Sequence, residues 1–179
     1  AMMEPKSRSD KDMKGLAKIA AQQLSDPSGP SVAIFDIGGF DTHADQGGDN
    51  GEHAKKLKQF DDVIGTLRKQ MGKTFNNTII ASLTEFGRTM SQNGGSGTEH
   101  GYGTAILMAG GLLPKSRIIS DWPGLEQKNL FEGRDLNSSI DARAVYASIL
   151  ARVLESDHQK IVKDAFFNSD LPDMTKRIF

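Results

Sequence analysis

The sequence predicts an α/β fold, in which helices layer on both faces of a mostly parallel sheet. Three observations carry that prediction. Helix-period segments interleave with short apolar runs in the order helix, strand, helix, strand, strand, strand, helix. The apolar runs are continuous and rich in β-branched residues, as in strands covered on both faces. Two of them lead directly into polar, glycine-containing stretches, and in open α/β sheets ligands bind at the carboxyl ends of strands.

Residues 1–10 are polar, with an odd Ala1 before Met2, and are expected to be frayed or foreign to the domain. Residues 11–179 are expected to form one domain. Met13, Leu16, Ala17, Ile19, Ala20 and Leu24 recur near helical spacing, so residues 10–24 read as an amphipathic helix. Asp26-Pro-Ser-Gly-Pro30 breaks it. Residues 31–37 read as a buried strand, and the acidic, glycine-rich residues 44–51 as a loop. Leu57, Phe60, Val63, Ile64, Leu67 and Met71 stripe a long helix from Glu52 to Met71. Residues 76–83 and 104–113 read as further buried strands, and 117–120 as a short fourth. Between them, residues 90–103 hold five of the nineteen glycines and must be a loop. Residues 121–139 read as irregular. A helix follows over 140–154, with Ser138 or Ser139 as its cap and Asp141 in its first turn. A short helix is expected near 159–167. Four strands are few for this class, so the sheet is predicted to be incomplete.

The bulk numbers narrow the function. A chain of 179 residues can bury a real core, and 37% hydrophobic with 25% charged residues fits a soluble globular domain. A net charge of −1 gives no reason to expect nucleic-acid or membrane-surface binding. With no cysteine, any metal must be held by His, Asp, Glu or other oxygen groups. No apolar run approaches the roughly 20 residues that span a bilayer, and no signal peptide is visible in the polar opening.

The polar stretches carry the chemistry. Gly38-Gly39-Phe40-Asp41-Thr42-His43 follows the first strand. Residues i and i+2 of an extended chain share a face, so Asp41 and His43 can converge on one ion. A carboxylate with a neutral imidazole suits Zn, Mn or Fe, whereas oxygen ligation alone suits Mg or Ca. The bland alternative is a turn capped by Asp41. Thr84-Glu85-Phe86-Gly87-Arg88-Thr89 follows the second strand. Glu85 is a candidate third ligand or general base, and Arg88 a candidate anion clamp, unless the two merely pair. In Gly97-Thr98-Glu99-His100-Gly101, a tight loop places Glu99 and His100 between glycines. His100, as the third member of the set, reads as a further ligand, the bland alternative being a solvated loop histidine. His53 and His158 read as solvent-facing. No nucleophile is evident: there is no G-x-S-x-G elbow, no P-loop and no dinucleotide fingerprint in the right context.

Together with Gly110-Gly111, Gly133-Arg134-Asp135-Leu136 and Asp141-Ala-Arg-Ala-Val145, these stretches resemble the bacterial family called domain of unknown function 1501, over residues 12 to 170. That family is similar to the alkaline phosphatase and sulfatase superfamily, whose fold is an α/β/α sandwich with two divalent ions at the strand ends. The resemblance implies Asp41 and His43 as a ligand pair, His100 as the later histidine ligand, and Glu85 in the place of the superfamily's Asp-His-Gly. It also implies a twin-arginine export signal and a periplasmic or exported location. The chain departs from the pattern in spacing its first pair Asp-x-His, in lacking the second histidine, and in lacking the half that supplies a nucleophile and the first metal-binding Asp.

The resulting expectation is the C-terminal part of a metal-dependent hydrolase of phosphate or sulfate esters. Asp41, His43, His100 and Glu85 are its metal candidates, and Glu85 and Arg88 its catalytic candidates. The cofactor is a divalent ion, Zn or Mn ahead of Mg or Ca. The partners would be a small anionic ester or a carbohydrate, and its own missing half or a self-associating sheet edge. The alternative is a non-catalytic exported module that binds carbohydrate or a protein.

Overall fold

The computed structural model describes residues 10–167 and 170–179. The expectation for the first nine residues lies outside this range. Two helices, α1 (Asp10–Ser25) and α2 (Glu52–Met71), follow the sequence periodicity closely. Met13, Ala17 and Ala21 of α1 meet Val63, Leu67 and Met71 of α2 in one buried cluster. The spacing of four puts each trio on a single stripe, and the alanines let the backbones approach. Lys14 and Asp62 pair across the edge at 3.1 Å.

A second cluster joins α3 (Ala142–Val153), α4 (His158–Phe166) and α5 (Thr175–Ile178). Asp141, rather than either serine, caps α3 by accepting from the Arg143 amide at 2.9 Å, and Asp157 caps α4 through Lys160 at 2.9 Å. Both carboxylates satisfy an amide that the first turn leaves unpaired. Helix α5, which the sequence did not suggest, is fixed by Leu171, Met174 and Ile178 in the core. The Ser148 hydroxyl donates to the Ala144 carbonyl and accepts from the Met174 amide, both at 2.8 Å. Burial of Ile178 is nearly complete. Ile178→Ala is therefore expected to cost about 2–5 kcal/mol in urea unfolding; an unchanged midpoint would mean that α5 is not part of the core.

The layered parallel sheet expected from the sequence does not occur among the described residues. Among the described residues the named strands are four, of two residues each: β1 (Ile80–Ala81), β2 (Gly87–Arg88), β3 (His100–Gly101) and β4 (Met108–Ala109). They form two antiparallel pairs. In β1–β4, Ile80 faces Ala109 and Ala81 faces Met108; in β2–β3, Gly87 faces Gly101 and Arg88 faces His100.

The reasons are local. A continuous apolar run signals two-sided burial only if both faces and both edges find partners. Residues 31–37 join no ladder: Phe35 and Ile37 pack on the α1–α2 cluster, while Ile34 on the other face is 87% exposed. The expected strand 76–83 begins inside a 3₁₀ turn, Gly72–Asn77, that follows α2. The expected strand 104–113 is cut short where Gly110 adopts φ 142° and the Gly111 amide donates back to the Phe75 carbonyl at 3.0 Å. Residues 117–120 make no strand, and Ile118 is exposed. What does hold is an alternation about β1: Ile79 and Ala81 pack against the α3–α5 cluster, and Ile80 against the α1–α2 cluster.

Candidate metal centre

The site is built from two segments sewn together by backbone hydrogen bonds. The β2–β3 pair places Arg88 directly across from His100, close enough for their side chains to interact. The ladder continues as the Thr89 amide donates to the Glu99 carbonyl at 2.9 Å. The loop between these strands folds on Asn93, whose side-chain oxygen accepts from the Gly95 and Gly97 amides, both at 2.9 Å. Residues 42–46 then lie along this loop. Thr98 donates to the Thr42 carbonyl, Asp45 to the Gly95 carbonyl and Gln46 to the Ser96 carbonyl. The Gln46 side chain accepts from the hydroxyls of both Thr42 and Thr98 at 2.9 Å.

This stitching brings Asp41, His43 and His100 together. One ligand atom from each lies within 4.8 Å of the other two. His43 Nε2 is 2.9 Å from Asp41 Oδ1, His100 Nε2 is 3.1 Å from the same oxygen, and the two Nε2 atoms are 3.2 Å apart. The other ring nitrogen of His43, Nδ1, is 2.9 Å from Glu99 Oε2. An ionised carboxylate only accepts, so Nδ1 carries the proton. Nε2 faces Asp41 Oδ1 and His100 Nε2, and a bound ion would take the Nε2 lone pair there while Glu99 keeps a proton on Nδ1, the tautomer a metal needs. His100 is held differently: its ring stacks on Phe86 with centroids 3.6 Å apart.

Charge is arranged to match. All contacts to the Asp41 carboxylate among the described residues converge on Oδ1. Desolvation pushes the Asp41 pKa up, but the Arg88 hydrogen bond and the His43 and His100 imidazoles outweigh it and hold the carboxyl below its ordinary range. The Glu99 carboxyl is also lowered, first by the hydrogen bond from Asn93, against some desolvation, and then by His43. Groups lowered on folding stabilise the protein above the ordinary carboxylate range, and that contribution is lost as pH falls through their folded-state values. The melting temperature is therefore expected to be level from neutral pH to about pH 5 and to drop below about pH 4. Asp41→Asn should remove part of that drop; an identical acid limb in the variant would refute the assignment.

Of the candidates read from sequence, Asp41, His43 and His100 are brought together. Glu99 joins them through His43. Arg88 is present but committed: its guanidinium bonds Asp41 Oδ1 and the Thr98 carbonyl, and its Nε donates to the Thr98 hydroxyl at 2.9 Å. Glu85 is not in the cluster; it is exposed on a neighbouring cavity that also takes in Phe86 and Gly87. His53 packs edge-on against Phe40 with centroids 5.7 Å apart, and His158, expected at the surface, is buried. Sequence reasoning passed over Asn93, although an Asn before two glycines is the signature of a side-chain-closed turn. It also passed over Gln46, which no pattern marked.

The arrangement can hold one ion through two imidazoles and a carboxylate. That donor set suits Zn, Mn or Fe, and three protein ligands leave coordination positions open, as catalytic sites do and closed structural sites do not. No curated protein and no solved structure matches the chain. The family model described as Protein of unknown function (DUF1501) matches residues 2–166. That match spans most of the chain, and the protein belongs to this family.

Proposed function

We propose that the chain carries a divalent-metal centre for the hydrolysis of phosphate or sulfate esters, with Asp41, His43 and His100 as ligands and Zn or Mn as the ion. The observation that carries this reading is the Glu99–His43 contact of 2.9 Å at Nδ1, which turns His43 Nε2 toward Asp41 and His100, where an ion would sit among the three. A carboxylate behind a histidine is the usual outer support of a ligating imidazole. A bound divalent ion would supply Lewis acidity toward an ester oxygen and a water of lowered pKa.

The protein's own residues do the rest. Glu99 fixes the ring and the tautomer of His43. Phe86 holds the plane of His100. Arg88 helps keep Asp41 ionised, and its positive charge at the cluster would favour an anionic ester over a neutral one. The hydroxyls of Thr42 and Thr98, on the two segments that carry the ligands, both donate to Gln46, so water is the nucleophile this reading favours. The alkaline-phosphatase-like ancestry and the export implied by the family resemblance belong to the same proposal.

The test is turnover of p-nitrophenyl phosphate and p-nitrophenyl sulfate by the protein loaded with Zn or Mn. Activity should vanish with EDTA and return on adding the ion. A stoichiometric ion with no turnover of either ester would overturn the hydrolase and favour a non-catalytic binding module.

A further inference from the structure

The cavity that holds Glu85 has a volume of about 520 Å³, within the roughly 300–1,000 Å³ of small-ligand sites. It shares a wall with the metal centre, because Phe86 lines it and also stacks on His100. We propose that this cavity is the subsite for a neutral, polyhydroxylated group, the alcohol part of an ester whose anionic end sits at Asp41, His43 and His100. The assignment of that alcohol rests on the hydrolase reading; the cavity's chemistry does not.

The lining selects such a group. Thr84 and Thr104 place their hydroxyls 3.3 Å apart on one side, and Ser138 and Ser139 add two more. Tyr102, backed by Phe131 with ring centroids 4.1 Å apart, is 54% exposed and offers an aromatic surface. The charges exclude an anion. Arg143 is the cation of the lining, and Asp141 engages it through both carboxylate oxygens, at 2.6 Å and 3.1 Å. Glu85 forms no ion pair or hydrogen bond among the described residues. An anionic ligand would meet a free carboxylate and no free cation. Thr84 already donates to Thr104, and Ser138 to the Ile140 carbonyl. A polyol therefore donates hydroxyl hydrogens to Glu85, accepts from Thr104 and Ser139, and lays its C–H face on Tyr102.

The experiment is a ¹H–¹⁵N spectral titration of the full chain, freed of metal with EDTA, against methyl glucoside, methyl galactoside, methyl mannoside and sorbitol. At least one is expected to give saturable shifts centred on the amides of Thr84, Tyr102 and Thr104. Glu85→Gln should weaken that binding about tenfold or more, the loss expected of a hydrogen bond to a charged group, and leave Zn affinity unchanged. No saturable binding by any of the four, or displacement of the sugar by inorganic phosphate, would overturn the proposal. Since the titration is free of metal, failure of the two readings is separable. A chain that binds sugar but no ion loses the hydrolase, and a chain that turns over ester but binds no sugar loses the subsite.

Discussion

His43→Ala is expected to abolish stoichiometric Zn or Mn, read by inductively coupled plasma mass spectrometry on the purified protein. The alanine removes one of three candidate ligands and with it the link, the only one among the described residues, from the cluster to Glu99 Oε2. It also leaves the Asp41 carboxylate, among the described residues, with Arg88 and His100 as its partners, one imidazole short of the proposed ligand set. Glu99→Gln should be milder. It keeps the ligand but gives Nδ1 an amide that can donate as well as accept, so the wrong tautomer becomes available. An affinity loss of about 10–100-fold is expected, the usual cost of disturbing an outer-shell partner. The order matters more than either value. If Glu99→Gln were silent while His43→Ala lost the ion, the carboxylate would be a bystander. If both variants kept a full complement of metal, the centre would lie elsewhere.

Gly97→Ala is expected to destroy the same site from outside it. A Cβ at this position would stand 2.3 Å from the His43 carbonyl carbon, 2.4 Å from its oxygen and 2.5 Å from the Thr42 oxygen. These are backbone atoms and no rotamer change clears them. The two segments must part, which unpicks the Thr98 to Thr42 hydrogen bond and moves His43 away from His100. Overpacking of this kind costs about 1–3 kcal/mol, and metal affinity should fall with it. Gly94→Ala, in the same loop but facing open space, should stay within about 0.5 kcal/mol of the parent. Equal melting temperatures and equal metal content for the two variants would refute the close approach.

The helices were legible because their signal is internal to each segment. The stripe at Met13, Ala17 and Ala21 and that at Val63, Leu67 and Met71 announce both the helix and the face it buries. Strands have no such autonomy. Residues 31–37 and 104–113 are apolar enough for a sheet interior, yet ladder pairing depends on what lies alongside, and that cannot be read from the run itself. Gly110 at φ 142° and the unpaired outer face of Ile34 decide the outcome. The metal candidates were legible as residue types at glycine-flanked positions. Which of them converge was not, since Glu85 and His100 look equally placed in sequence. The register of β2 against β3 puts Arg88, and not Glu85, beside His100.

The ligands come from places far apart along the chain: His43 and His100 are separated by 57 positions. An ion bound between them acts as a removable staple that closes a long loop, and closing it costs configurational entropy that the unliganded chain has already met through the Thr42–Thr98 stitching. Metal should therefore act on the whole molecule, raising the melting temperature in proportion to the logarithm of free ion. At a hundredfold excess over Kd the gain is about 2.7 kcal/mol.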